Sequence, residues 1–204
     1  MELEEVRRRR RMVRRYDPAV PVPAAALERI LHAGLRVPSA GFTQGVSLLV
    51  LEGPDVEQYW TLTTDRAHEP DRWLRGMQTA PVLVLVWTAP GAYLDRYAAP
   101  DKGWTDRDPA RWTAPYWHVD AGMAVLAMLY AAVDEGLGAC FFGVPPERIG
   151  AVAAAYGVPD DQELVGVVSL GAPDGSGTRS RRERRSTDEL VHRGHWRRRS
   201  HPIS

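Results

Sequence analysis

Residues 81–87 read PVLVLVW, an uninterrupted apolar run that restricts the fold of this chain more than any other segment. A strand made of these residues has no polar face, and such strands are typical of the centre of a sheet covered on both sides. Helices must then lie above and below that sheet. The run therefore predicts a three-layer architecture that contains both strands and helices.

Apolar periodicity along the rest of the chain predicts the other elements of these layers. Further strands are predicted at 47–51, 138–142 and 163–170, and helices at 1–11, 24–36, 54–63, 70–77, 116–135 and 146–156. Strands separated by helices indicate an α/β or α+β fold, although the order of the strands does not follow from this pattern. Helix 116–135 is apolar almost all round, so we expect it in the core or at a subunit interface, with Asp120 paired across that interface.

The basic residues of this chain are unevenly distributed. The 204 residues carry a formal net charge of zero, which gives the whole molecule no electrostatic attraction to nucleic acid or to a membrane. Lys102 is the only lysine, and the arginines are concentrated in two blocks, at 7–15 and at 179–199. Two basic blocks at opposite ends of a neutral, single-domain chain require an explanation.

The cellular compartment is predicted from three features that the sequence lacks: a disulfide, a signal peptide and a membrane span. A single cysteine, Cys140, excludes an internal disulfide and is typical of a reducing compartment. No apolar stretch follows the N-terminal charges, so no signal peptide is expected. The apolar run 119–133 contains Asp120 and is too short to span a bilayer. We expect a cytoplasmic protein without a membrane partner, in which Cys140 is a small buried strand residue.

Self-contained catalytic signatures are absent from the sequence. There is no G-x-x-x-x-G-K-[ST] phosphate loop, no G-x-G-x-x-G between a strand and a helix, and no G-x-S-x-G elbow. His192 and His195 have no carboxylate or cysteine at ligand spacing, so no metal site is expected. If the chain is an enzyme, a cofactor carries the chemistry, and no side chain is assigned a catalytic role.

The two arginine blocks have three interpretations at this point. They can be a solvated helix face and a solvated tail, which is the ordinary role of charge runs. They can bind nucleic acid, although the neutral total argues against that partner. Selected arginines from both ends can also converge on one phosphate, because a guanidinium binds phosphate oxygens bidentately.

A series of segments resembles the motifs of the nitroreductase-like flavoproteins, in the same order along the chain. They are RRMVRRY at 10–16, PVP at 21–23, PSAGFTQ at 38–44, GLGACFFG at 136–143, the strand 163–171 that ends in LG, and RERR at 182–185. No single segment is specific, but their order and spacing across nearly the whole chain are. On these motifs the chain is identified as a member of that family.

The resemblance implies a fold and an activity. The fold is one α+β domain over 1–204, with three layers, a central, mainly antiparallel sheet flanked by helices, and an intertwined homodimer that binds FMN at its interface. The activity is that of an FMN-dependent oxidoreductase, which passes hydride from NADH or NADPH to a small organic acceptor such as a nitroaromatic, a quinone or an enone by a ping-pong mechanism. Two alternatives stay open: a flavin-binding protein with little turnover, and a flavin-dependent biosynthetic dehydrogenase.

The resemblance also implies three groups of cofactor-binding residues. The phosphate and ribityl chain would be contacted from both ends of the chain, by Arg10, Arg11, Met12, Arg14, Arg182 and Arg184. The partner subunit would contribute Pro38, Ser39 and Ala40, which would lie against the isoalloxazine ring, and Phe42 and Gln44 of the same motif are further cofactor-binding candidates. Backbone groups near the reactive edge of the ring would come from Phe141, Phe142 and Gly143.

This chain departs from the family pattern on the substrate side. Met12 replaces a serine and removes a hydroxyl partner of the flavin, and Phe42 replaces an asparagine and makes the pocket more apolar. Residues 89–115 show little periodicity; they are either a cover over the flavin or a packed excursion that braces the dimer. Phe42, Trp104 and Trp112 are weak candidates for substrate contact. Residues 173–204 are expected to form an extended tail.

Overall fold

A four-stranded antiparallel sheet is the centre of the fold in the computed structural model, which describes residues 1–176 and 183–196. The strands of the described chain are β1 (Val46–Glu52), β2 (Val82–Thr88), β3 (Gly138–Phe142) and β4 (Glu163–Gly171). Their order in the sheet is β1-β2-β4-β3, and each neighbouring pair is antiparallel. The positions of all four predicted strands are confirmed to within one or two residues.

Strand β2 is buried along its whole length, as its composition predicts. Leu83, Leu85 and Trp87 point into one apolar cluster. Their neighbours Val82, Val84 and Val86 point into a second cluster on the opposite face of the sheet. Because successive side chains of a strand alternate between faces, one apolar run contributes to two cores.

Helices cover both faces of this sheet and complete the predicted three layers. The helices on the first cluster are α3 (Pro54–Thr63), α4 (Arg72–Met77) and α7 (Pro146–Ala155). Those on the second cluster are α2 (Ala24–Leu35) and α6 (Tyr116–Asp134). The short helices α1 (Leu3–Arg9), α5 (Pro90–Ala98) and α8 (Thr187–Leu190) lie outside this pattern. The α+β, three-layer prediction is confirmed.

Helix α6 has one buried face and one exposed apolar face. Ala121, Ala124 and Met128 are fully buried on the side that meets the sheet and α2. The opposite side exposes an apolar stripe made of Tyr116, Val119, Met123 and Leu126. Within the described chain, α6 is the one helix that is long and apolar enough to cross a membrane by length and composition, a test that core helices also pass.

Two details differ from the sequence-based expectation. Residues 89–115, which show no clear period, contain helix α5 and a 3₁₀ turn at Pro109–Arg111. Asp120, expected to pair across an interface, is buried and has partners within its own chain: its Oδ2 accepts hydrogen bonds from Ala40 N at 2.8 Å and from Tyr93 Oη at 2.9 Å. Both groups are far from Asp120 in sequence, so the contact could not be read from helical spacing.

Candidate functional site

The N-terminal arginine segment lies against the edge of the sheet beside β3. Val13 N donates to Ala139 O at 2.9 Å, and Asp17 N donates to Ala172 O at 2.9 Å. The phenol of Tyr16 is buried and donates to Val13 O at 2.7 Å, with Ser169 Oγ also 2.7 Å away. The exposed arginines of the segment, Arg11, Arg14 and Arg15, are therefore attached to a fixed backbone.

Three glycines make room for this segment. A β-carbon at Gly138 would lie 2.8 Å from the side chain of Val13, and one at Gly171 would lie 2.9 Å from the ring of Tyr16. A β-carbon at Gly76, in α4, would collide with the carbonyl oxygen of Arg14. The arginine segment can approach β3, β4 and α4 this closely only because these positions have no side chain.

A cavity of about 800 Å³ opens beside the segment and is lined by arginines from both ends of the chain. Arg10 and Arg14 come from the N-terminal block, and Arg184 comes from the C-terminal tail. The rest of the wall belongs to the neighbouring N-terminal residues and to the end of α6 with the start of β3, including Arg11, Met12, Val133, Gly136 and Ala139. The structure thus brings together most of the residues predicted to contact the phosphate; Arg182 lies outside the described residues.

The charges around this cavity are only partly neutralised. On α1, Arg7 is ion-paired with Glu4 at 2.9 Å, and Arg8 and Arg9 pair with Glu5. Within residues 1–176 and 183–196, no carboxylate pairs with Arg10, Arg14 or Arg184. Guanidinium groups that converge without a carboxylate are suited to binding a phosphate dianion.

A second compartment of about 380 Å³ adjoins the first and contains residues that the sequence reasoning missed. It shares Arg11 to Arg14 with the cavity and adds Arg72 and Trp73 from the first turn of α4. Trp73 is 43% exposed, which is unusual for so large an apolar side chain. Its ring meets Phe142 edge to face at 5.9 Å.

Phe141, Phe142 and Gly143, at the end of β3, are not among the residues that line these two cavities, and the two phenylalanines are used in packing. Phe142 stacks on Trp60 at 5.7 Å, and Phe141 packs in the second apolar cluster. Gly143 is exposed, and a β-carbon there would meet nothing within 4 Å. Cys140 is buried, and burial raises the pKa of its thiol. Cys140 is therefore placed as a strand residue, as expected.

The predicted partner-side loop, residues 38–44, has a strained conformation. Gly41, Phe42 and Gln44 all have positive φ, of 62°, 56° and 54°. For residues that carry a side chain this conformation costs about 1–3 kcal/mol each and persists only where the surroundings impose it. Phe42 is also 76% exposed. A large apolar ring is thus held outward, away from the core of its own chain.

Trp104 and Trp112 are packed within their own chain. Trp112 lies 4.3 Å from Tyr97 and 5.5 Å from Trp104 between ring centroids, and the space that their side chains enclose is too small for a ligand. Neither ring is among the residues that line the arginine cavity. Among the described residues, no three His, Cys, Asp or Glu side chains lie close enough to hold a metal ion.

The loop and the arginine cavity lie at opposite ends of α6. Asp120, near the start of the helix, binds Ala40, whereas Val133, near its end, lines the cavity. Thirteen residues of α-helix separate these two points, which corresponds to about 20 Å. Within one chain, therefore, the structure does not bring Pro38, Ser39, Ala40, Phe42 and Gln44 to the arginines.

The fold and the arginine cavity define a class of protein, and sequence comparison gives its family. A model of the nitroreductase family matches residues 8–172, so the chain belongs to the nitroreductase family. YdjA of Escherichia coli K12, whose name describes it as an NAD(P)H nitroreductase, is 27% identical over 160 residues, which are 76% of this chain and 80% of YdjA.

Solved structures with the same fold are numerous at low identity. A nitroreductase of Desulfovibrio desulfuricans in complex with FMN is 24% identical, with a TM-score of 0.72 over 96% of this chain and 98% of its own. The nitroreductase CinD from Lactococcus lactis in complex with nicotinic acid is 18% identical, with a TM-score of 0.78 over 95% of this chain and 100% of CinD. At these identities the likeness shows the fold.

Proposed function

We propose that this chain is an FMN-dependent oxidoreductase, which passes hydride from NADH or NADPH to a small organic acceptor by a ping-pong mechanism. The observation that carries the proposal is the convergence of Arg10, Arg14 and Arg184 on one cavity without a carboxylate partner in the described chain. The membership in the nitroreductase family and the FMN complex of the Desulfovibrio relative support the choice of cofactor.

The residues present are suited to a phosphate-bearing cofactor. The cavity is large enough for an extended ligand, and Arg10, Arg14 and Arg184, three of the arginines that line it, can supply several charge-assisted hydrogen bonds to a dianion. Met12 adds an apolar wall where the family pattern has a hydroxyl, so phosphate binding depends on the guanidinium groups. Arg182 completes this set in our proposal.

We propose that two copies of the chain form each site. An antiparallel pair of α6 helices, related by a two-fold axis, would place the start of one helix beside the end of the other. That arrangement would bring the 38–44 loop of one subunit to the arginine cavity of its partner. It would also cover the exposed stripe of Tyr116, Val119, Met123 and Leu126, which no other described element covers.

In this mechanism the protein mainly positions the cofactor and the substrates. Bound FMN supplies the redox chemistry, since its ring can accept a hydride from the donor and give one to the acceptor. Arg10, Arg14 and Arg184 would hold the phosphate and so fix how far the isoalloxazine ring enters the site. The exposed backbone at Gly143 can hydrogen-bond to polar atoms at the ring edge, and Phe42 of the partner loop excludes water from the face where donor and acceptor alternate.

Small flat molecules are the proposed acceptors, namely nitroaromatics, quinones or enones. Structures of CinD hold nicotinic acid in one case and 4-nitrophenol in another, which supports a site of that shape. The neutral total charge gives no reason to expect a nucleic acid or a membrane as partner. A buried, single cysteine is compatible with a cytoplasmic location, which we propose as well.

A spectroscopic experiment tests the proposed activity. The purified protein should be yellow, and anaerobic addition of NADPH or NADH should bleach the flavin band within the time of an enzymatic turnover. Subsequent addition of 4-nitrophenol or a quinone should restore the colour. Bound flavin that neither donor reduces would instead support the flavin-sequestering alternative. A colourless protein that does not bind added FMN would contradict the proposal.

Met123→Glu should dissociate the dimer and release FMN, because the new carboxylate would be buried in the α6 pair. We expect the dissociation constant of the dimer to rise by at least about 30-fold, the size of an interface hot spot. Analytical ultracentrifugation and the ratio of flavin to protein measure the two effects. Ala151→Glu, on the exposed side of α7, is the matched control. A monomeric wild-type protein with full FMN occupancy would refute the shared site.

A further inference from the structure

The face of α5 that meets the 38–44 loop is formed by three residues, Tyr93, Arg96 and Tyr97. They are spaced i, i+3 and i+4, so they form one face of the helix. Arg96 Nε donates to Gly41 O at 2.8 Å. A β-carbon at Gly41 would lie 2.7 Å from the Tyr97 ring, and one at Gly45 would lie 2.5 Å from the Tyr93 ring. The loop therefore follows the surface of α5 closely.

Hydrogen bonds fix the loop at both of its ends. At its start, Ala40 N donates to Asp120 Oδ2 at 2.8 Å, and the phenol of Tyr93 donates to the same oxygen at 2.9 Å. Asp120 is only 1% exposed. At the end of the loop, Ala89 N, just before α5, donates to Gly45 O at 2.9 Å. The carboxylate thus links α6, α5 and the loop.

Arg96 is itself held in one orientation. Its Nη1 and Nη2 each donate to a different oxygen of Asp101, both at 2.7 Å, which leaves Nε directed at the loop. A bidentate pair of this kind adds geometric specificity. The middle of the loop, next to Phe42, is therefore attached to α5 by a donor that cannot swing away without breaking two other bonds.

We propose that Asp120, Tyr93 and Arg96 are positioning residues, which keep Phe42 outward in its left-handed conformation so that its ring selects flat aromatic acceptors. This inference rests on the proposed function for the acceptor step, but the positioning itself does not depend on it. It assigns α5 the role of a fixed support for the loop and not that of a mobile cover. A misplacement of about 1 Å in a ring that orients a substrate can lower the rate about 100-fold.

Hydrogen exchange tests the positioning without any activity. In Arg96→Met, which keeps the length of the side chain but removes its donors, backbone amides of residues 39–46 should exchange at least about tenfold faster than in wild type. Arg111→Met is the matched control, because Arg111 pairs with Asp106 in the same insert and does not contact the loop. Equal exchange in the two variants would overturn the inference, whether or not the protein binds flavin.

A double-mutant cycle tests the effect on acceptor choice. The readout is the ratio of kcat/KM for 4-nitrophenol to kcat/KM for ferricyanide, which needs no stacking. Arg96→Met and Tyr93→Phe should each lower this ratio about tenfold, and Arg111→Met should not. In a Phe42→Ala background, Arg96→Met should change the ratio by less than about twofold. An undiminished effect in that background would show that Arg96 does not act through Phe42 and would overturn the proposal.

Measurements on the wild-type protein distinguish a failure of the proposed function from a failure of the positioning inference. If it binds FMN and reduces 4-nitrophenol, the proposed function stands and the cycle decides the role of Arg96. If it binds no FMN, the proposed function fails, and the hydrogen-exchange comparison alone decides whether α5 supports the loop. If Arg96→Met and Tyr93→Phe changed the rates of flavin reduction and of both acceptor reactions by the same factor, α5 would act as a mobile cover. That result would contradict the fixed support.

Discussion

Arg14→Ala and Arg184→Ala should each weaken FMN binding by about 1.5–3 kcal/mol, the range for a hydrogen bond to a charged group. This corresponds to a rise in Kd of roughly 10- to 150-fold. The double variant should purify without colour, since the cavity would then lose a guanidinium from each end of the chain. Fluorescence titration of the apoprotein with FMN measures both effects.

The arginine prediction has a matched control in the same block. Arg7 lies in α1 and is ion-paired with Glu4, and it is not among the residues that line the cavity. Arg7→Ala should therefore leave the Kd for FMN within about twofold of wild type, as expected for an exposed pair. If Arg14→Ala and Arg184→Ala behaved like Arg7→Ala, the phosphate would have to be bound elsewhere.

Gly76→Ala should destabilise the protein by about 3 kcal/mol, at the upper end of the range for overpacking. The new β-carbon would meet the carbonyl oxygen of Arg14, a backbone atom that cannot rotate away. The arginine segment must therefore shift, and FMN affinity should fall together with stability. Denaturant unfolding of the apoprotein and FMN titration of the folded protein measure the two losses separately.

Gly150 provides the comparison for this substitution. It also lies within a helix, α7, but a β-carbon there would meet nothing within 4 Å. Gly150→Ala should stabilise the protein by about 0.5–1 kcal/mol, because alanine is the better helix former. A Gly76→Ala variant as stable as Gly150→Ala would show that the close approach of α4 to Arg14 is not a constraint.

The fold was predictable from the sequence where local pattern decides it. The apolar run at 81–87 needs no information beyond its own composition to be predicted as a buried strand, and the structure buries the strand at 82–88 on both faces. The strand order β1-β2-β4-β3 could not be derived, because pairing depends on contacts between residues far apart in the sequence. Helix α5 was missed for a related reason: its period consists of tyrosines and an arginine that pack on a distant loop.

The candidate site, like the fold, could be predicted only in part from the sequence. The arginine blocks are visible in the sequence, and their resemblance to family motifs led to the cavity that contains Arg10, Arg14 and Arg184. Arg72 and Trp73 could not be assigned to it, because only the folded chain brings the start of α4 beside Arg14. The partners of Asp120 within its own chain, Ala40 and Tyr93, could not be predicted, since a buried carboxylate in an apolar helix indicates that a partner exists but not which one.

The packing of the N-terminal segment on residues 139–173 determines when, during synthesis, the protein can bind its cofactor. Residues 12–17 bind Ala139, Ala172 and Pro173, so the N-terminal arginines have no surface to lie on until most of the chain has been synthesised. Contacts of such long sequence separation form late and slowly in folding. A ribosome-bound nascent chain whose last strand is still inside the exit tunnel should therefore be unable to take up flavin.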